Sequence, residues 1–354
     1  IWKHCPLWRS DQPRTFGYTP GLAHVWCRSA SWYARSAHSL APSPGCGGGR
    51  LISLHNVSRW YGFVIGLNDI TVEIPVGITA LIGQNGSGKS TMIKLITGQL
   101  KPTTGHVEVL GQNPFANPAV FEQLGYCPEI DNFYEHMSGR QFVEHMSRLR
   151  GMTKDQAKSI ATEMLQMVGM IDRCDRPIQG YSKGMRQRIK LAQAMVHDPQ
   201  VILLDEPLNG LDPVGRREFI HLLGWLAEKG KAIVVSSHIL FELEQMTRSI
   251  LLLHRGRLLA HGDLRVIRSL IDKHPHQIRI ETPTPRALAS ELMHLEGVVS
   301  VQVEDLDRIE LQVKQPEFFY PKLGEIVRSN QFVVLGVESP DNNMEAVFRY
   351  LVEA

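Results

Sequence analysis

Gly83-Gln84-Asn85-Gly86-Ser87-Gly88-Lys89-Ser90-Thr91 is the stretch on which the fold turns. A short apolar run precedes it at 78–82, and a helical pattern follows at 89–97. A glycine-rich turn set between a buried strand and a helix suits phosphate for physical reasons. Its glycines let the backbone curl so that successive N–H groups face one anion. The helix that follows aims its positive end at the same spot. Lys89 supplies a compact cation for the β- and γ-phosphates, and the Ser90 hydroxyl can ligate Mg2+. A chance glycine turn would lack the flanking strand and helix that this spacing predicts.

Outward from this loop the pattern repeats. Apolar runs at 201–204 and 232–236 are each followed by a helical pattern, at 213–228 and 239–246. Such alternation predicts an α/β domain with a mostly parallel sheet. Runs at 52–58 and 71–74 alternate like antiparallel strands, so the sheet system is mixed. Between 138 and 180 the sequence is almost wholly helical, and Thr153 with Gln156 reads as a capping box opening a helix to about Val168. A helical insert, about 132–180, therefore interrupts the α/β frame.

The run at 201–204 ends in Asp205-Glu206-Pro207. Carboxylates at the carboxyl edge of a parallel strand lie where such sheets bind ligands. An isolated pair of this kind would read as a solvated loop end. Beside a phosphate loop, Asp205 is expected to hold Mg2+ and Glu206 to polarise an attacking water.

A second unit is expected over 275–354, with strands at 277–280, 298–303, 308–313 and 332–337 and helices at 286–295, 317–328 and 344–352. Its order resembles a small βαββαβ unit with a closing helix. His274 and His276 flank Pro275 at the junction, without further ligands at metal-site spacing.

Residues 1–50 read differently. They hold four of the six tryptophans, six basic residues and one acid, and end in a run rich in glycine. They show no sustained period and no signal-peptide pattern. They are expected to be read-through of upstream sequence, with the start near Leu51, or else a disordered extension. Without them the chain carries 32 basic and 35 acidic side chains, so bulk charge gives a nucleic-acid role no support. Hydrophobic residues are 43% of the 354, which excludes wholesale disorder. No apolar run approaches the roughly 20 residues of a membrane-spanning helix. Five cysteines without a C-x-x-C pair are too few for a disulfide framework.

Between the two phosphate-directed motifs lies Tyr181-Ser182-Lys183-Gly184-Met185-Arg186-Gln187-Arg188, opening an amphipathic helix expected at 187–196. A serine and a glycine opening a helix upstream of V-I-L-L-D-E-P resemble the signature motif of ATP-binding cassette (ABC) ATPases. The resemblance continues in order over residues 51–272. Asn209-Gly210-Leu211-Asp212 is similar to their D-loop, and His238 ends a strand as their switch histidine does. Tyr61 falls where the family stacks an aromatic on adenine, and Glu129 in Cys127-Pro128-Glu129 falls at the Q-loop. Lys183 stands where the usual signature has a second glycine, Met185 where it has glutamine, and Glu129 where the Q-loop has glutamine. These departures, in the signature and at the Q-loop, resemble those of exporter ATPases that carry a C-terminal accessory domain.

The resemblance implies a P-loop NTPase fold of the ABC type followed by a small α+β accessory domain. It implies ATP and Mg2+ as ligands and a sandwich homodimer, or a heterodimer with a related ATPase. Ser182 and Gly184 of one subunit would cap the γ-phosphate held by the other, with Asp212 at the same interface. Separate transmembrane permease subunits would hold the chain at the cytoplasmic face of the membrane, and no nucleic acid is expected. Phe133, Tyr134, Met137 and Phe142 of the insert are apolar enough to meet a permease, though each also suits the insert's own core. The alternatives are a soluble ABC-type ATPase acting on ribosomes or DNA, and a nucleotide-binding module without hydrolysis. One phosphate loop, no sustained heptads over the 116 positions from Lys89 to Asp205, and intact Glu206 and His238 argue against them.

Overall fold

The computed structural model describes residues 50–269, 271 and 275–353. The extension expected over 1–50 lies outside them except for Arg50, as does His274. The chain runs β1 (Arg50–Tyr61), β2 (Val64–Pro75), β3 (Gly77–Ile82), α1 (Lys89–Ile96), β4 (Thr104–Val109), α2 (Pro118–Phe121) and β5 (Leu124–Cys127). The helical insert follows with α3 (Gly139–Leu149) and α4 (Lys154–Met167), and leads into α5 (Lys183–Met195). The frame resumes with β6 (Val201–Asp205), α6 (Pro213–Glu228), β7 (Ala232–Ser237), α7 (Leu240–Glu244), β8 (Ser249–His254), β9 (Arg257–Asp263) and α8 (Leu264–Ser269). The second unit contains β10 (His276–Glu281), α9 (Pro285–Leu292), β11 (Val298–Val303), β12 (Arg308–Val313), α10 (Pro316–Ser329), β13 (Gly336–Glu338) and α11 (Met344–Glu353).

Among the described residues the central sheet has the order β5-β6-β7-β3-β8-β9. Its first five strands are parallel and β9 is antiparallel. A second sheet, β2-β1-β4, is antiparallel. The central strands are apolar on both faces because each face meets a separate core. Ile202, Leu204, Ile233 and Val235 face the core shared with α3–α6. Their neighbours Val201, Leu203, Ala232 and Val234 face the core shared with α1 and the antiparallel sheet. This two-sided burial turns each strand into a continuous hydrophobic run and fixes its register. It also brings the carboxyl ends of β3, β6 and β7, and hence the loops after them, to one edge.

Local signals set the insert's helices. Ser138 with Gln141, and Thr153 with Gln156, form reciprocal capping boxes at the starts of α3 and α4. Each such cap is worth about 1 kcal/mol. Helix α5 begins at Lys183, not near Gln187, because the Ser182 hydroxyl accepts from Met185 N at 3.3 Å and caps it.

The C-terminal sheet, β11-β12-β10-β13, packs on α9 and α10 around Ile278, Ile280, Leu288, Ile309 and Leu311. The strand expected at 332–337 is confined to Gly336–Glu338. The stretch before it is held instead by Thr282 Oγ1 donating to Val333 O at 2.7 Å and by Leu335 N donating to Glu281 O. Helix α11 differs from the expected organisation. Met344 and Val347 are buried in the core of the first unit, against α7 and α8. Buried Arg268 of α8 also pairs with buried Asp341, just before α11, and lies 5.0 Å from the Tyr350 ring.

Candidate functional site

The phosphate loop joins β3 to α1. Lys89 is buried, and its Nζ donates to the carbonyls of Gly83 at 2.6 Å and Gln84 at 3.2 Å. The cation is thus held over the loop instead of extending into solvent. Burial lowers its pKa, opposed by Glu206, Asp205 and Glu129 in that order, so all three carboxylates act on one ammonium. Gly88 has φ +110, and a Cβ there would meet Gly66 O and Leu67 Cδ2 at 2.7 Å. Only glycine fits that close backbone approach. Gly256 in the β8–β9 turn buttresses the loop from the other side, donating to Ser87 O at 2.9 Å and accepting from Asn68 N at 2.7 Å. The Ser87 hydroxyl is buried without a partner. Ser90 and Thr91 open α1, and the Tyr61 hydroxyl lies 3.4 Å from Thr91 Oγ1. Exposed Tyr61 therefore stands beside the helix that carries the loop, with the Arg59 guanidinium 5.0 Å from its ring.

The carboxylates enter from β6. Asp205 and Glu206 are both nearly buried, at 5% and 6% exposure. The Ser236 hydroxyl on β7 donates to Asp205 Oδ1 at 2.5 Å and accepts from Glu206 N at 3.0 Å. Glu206 holds φ +49, a left-handed conformation that costs a non-glycine residue roughly 1–3 kcal/mol. It is held there by neighbours: Gln187 Nε2 donates to its carbonyl at 3.4 Å, and Asn209 Nδ2 donates to its Oε2 at 3.4 Å. His238 Nδ1 lies 2.9 Å from the same Oε2. The carboxylate and the strand-end histidine are thus in direct contact.

Ser182 and Gly184 lie at the start of α5, away from this cluster in the sequence but joined to the loop after β6. A Cβ on Gly184 would stand 3.2 Å from Gly210 O. Asp212 caps α6 by accepting from Gly215 N at 3.1 Å. Glu129 is exposed, but its backbone is fixed: buried Lys190 donates to Pro128 O at 2.8 Å and Glu129 O at 3.0 Å, and pairs with Asp131 at 2.9 Å. Burial pushes the adjacent Cys127 thiol up to about 12, so it behaves as an apolar side chain. In the insert Phe142 is buried with Phe133 edge-on to it at 5.0 Å, so these two fill its core, while Tyr134, and Ile130 just before the insert, stay exposed.

Gly66, Gly256 and Lys190 support the site and were absent from the sequence expectations, as were the contacts that Ser236, Gln187 and Asn209 make with Asp205 and Glu206. All but Asn209, which reaches Glu206 from three residues on, act across a long sequence separation, where spacing carries no signal. For Ser236, a polar residue closing an apolar strand beside His238 was the available hint.

The ABC transporter family model matches residues 67–209. A bacitracin transport ATP-binding protein, BcrA, from Bacillus licheniformis is 34% identical over 212 residues, covering 59% of this chain and 68% of that protein. The uncharacterized ABC transporter ATP-binding protein YxlF from Bacillus subtilis is 35% identical over 189 residues; the aligned part spans 53% of this chain and under two thirds, 62%, of that relative. A solved dimer of an ATP-binding cassette in a post-hydrolysis state, bound to ADP and Pi, is 25% identical with a TM-score of 0.57, and covers 61% of this chain and 99% of that one. With the fold and the ordered motifs, these likenesses establish that the chain belongs to the ABC transporter ATP-binding proteins, a family of ATPases.

Proposed function

We propose that this chain hydrolyses ATP between two closing copies of itself, or between itself and a related ATPase, and so powers export through separate membrane permease subunits. The observation that carries the reading is the contact of Glu206 with His238 beside the Lys89 loop. In it the backbone N–H groups from Gln84 to Thr91 and the Lys89 ammonium bind the phosphates, and Tyr61 stacks on the base. The donor set fits a hard cation, because Ser90 and Asp205 offer only oxygen, and a buried Asp205 held by Ser236 is already ordered to receive it. Mg2+ held by Ser90 and Asp205 supplies charge neutralisation on the phosphates when bound.

Glu206 takes the proton from the attacking water. Its Oε2 is occupied by Asn209 and His238, which leaves Oε1 for that water. His238 bridges Glu206 and the γ-phosphate. Ser182 and Gly184 of the partner subunit add helix-N-terminal donors to the same phosphate, with Asp212 at the seam. Glu129 borders the γ-phosphate side, where its charge acts on Lys89. The exposed Ile130 and Tyr134 form the edge offered to a permease at the cytoplasmic face of the membrane. No helix among the described residues is long and apolar enough to cross a membrane.

Lys89→Ala tests the reading. It removes the cation shared by the loop and three carboxylates, and ATP turnover is expected to fall at least about a hundredfold, the scale of losing one preorganised charge at a phosphoryl group. Near-normal ATPase activity in the purified variant would refute it.

A further inference from the structure

We infer that Arg216 and Glu242 are positioning residues for hydrolysis: together they tie the D-loop to the segment that carries His238, closing a ring of contacts around Glu206. The inference rests on the hydrolytic role proposed for Glu206. Arg216 lies in the first turn of α6, and its guanidinium makes two contacts in different directions. Its Nε donates to Leu211 O, in the D-loop, at 3.1 Å. Its Nη1 lies 2.6 Å from Glu242 Oε1 on α7. Glu242 follows His238 by four residues, and its amide donates to Ile239 O at 3.2 Å. His238 in turn holds Glu206 Oε2, and Asn209 at the other end of the D-loop holds the same oxygen. The path therefore runs from Glu206 through His238 and α7 to Glu242, crosses to Arg216, and returns through Leu211 and Asn209.

Packing alone does not account for the carboxylate at 242. Helix α7 is anchored by Leu243, fully buried in the main core, and Glu242 is buried beside it at 4% exposure. A carboxylate there is costly to desolvate, and Glu206 repels it further. Burial pushes its pKa up, while Arg216 and, less strongly, His238 oppose that shift. Neutralising such a group needs only a cation, whereas the observed guanidinium also reaches the D-loop carbonyl. A planar fork can serve two acceptors at once, and that is what distinguishes arginine from lysine here. The D-loop is the part of this ring nearest the proposed partner subunit, so displacement of Leu211 on closure is transmitted to His238 by a short connection through half-exposed Arg216 and buried Glu242.

Arg216→Lys separates the two roles. One ammonium keeps Glu242 neutralised but cannot hold Leu211 O in the same geometry. We expect kcat for ATP to fall about tenfold, the equivalent of 1.4 kcal/mol in the barrier, with KM and nucleotide affinity within about twofold of the parent. The thermal midpoint is expected to stay close to the parent's. Glu242→Gln, which keeps the side chain's size and its contact with Arg216 without the charge, is expected to lower kcat less, again at constant KM; it serves if the lysine variant fails to fold. Parent kcat in the folded lysine variant, or a fall in kcat matched by a rise in KM, overturns the inference. Glu206→Gln is assayed alongside. If that variant keeps its turnover, the hydrolytic reading itself fails; if it is inactive while Arg216→Lys is unimpaired, only the positioning role fails.

Discussion

Glu206→Gln is expected to bind ATP normally, to lose at least about a hundredfold in turnover, and to accumulate as an ATP-bound dimer. The magnitude is that of removing a general base. Binding survives because glutamine has the same shape and its side-chain oxygen can still accept from Asn209 and His238, the two groups that hold Glu206 Oε2. The left-handed backbone at 206 is fixed by Gln187 and Ser236, which contact main-chain atoms that the substitution leaves unchanged. Removing a negative charge next to the γ-phosphate also weakens repulsion across the closed seam, so the dimer lives longer. Steady-state ATPase assays and light scattering with ATP or ADP check both halves. Unchanged turnover would remove Glu206 from the role of base.

Asp341→Ala is expected to destabilise the protein by about 3–5 kcal/mol, the cost of stranding one partner of a buried ion pair. Arg268 and Asp341 are 1% and 2% exposed, and the guanidinium also donates to Asp341 O at 3.3 Å and Pro275 O at 3.4 Å. Removing the carboxylate leaves an arginine charge inside the joint between α8 and α11. The double variant Arg268→Met with Asp341→Leu is expected to recover most of the loss, because an apolar pair needs no desolvation of charge. Chemical denaturation of the single and double variants reads this directly. A single-variant loss below about 1 kcal/mol would mean that the joint is open to water.

The parts of the site that the sequence exposed are local. The phosphate loop declares itself because its chemistry lies in nine consecutive residues flanked by a strand and a helix. Asp205 and Glu206 were legible for the same reason, as charges ending an apolar strand. What escaped notice acts at a distance. Gly88 makes room for the Gly66 carbonyl, which approaches from another sheet, and Ser236 orders Asp205 from the neighbouring strand, contacts that depend on strand order. Helix α5 began one turn earlier than its apolar period suggested, because a capping serine, not hydrophobicity, sets its start. Residues 332–335 have a strand-like pattern but give their polar groups to Thr282 and Glu281 at the edge of a short sheet. Helix α11 carries an apolar stripe that suits either unit, and the joint at Arg268 and Asp341, with Met344 N donating to Glu244 of α7, directs it onto α7 and α8.

The structure of the Glu206→Gln variant crystallised with ATP and Mg2+ tests the central claim most directly. The account predicts a two-fold dimer in which Ser182 Oγ and Gly184 N of each copy lie about 3 Å from the γ-phosphate held by Lys89 of the other. Nucleotide bound to Lys89 with both signature residues exposed to solvent, in every copy, would contradict it.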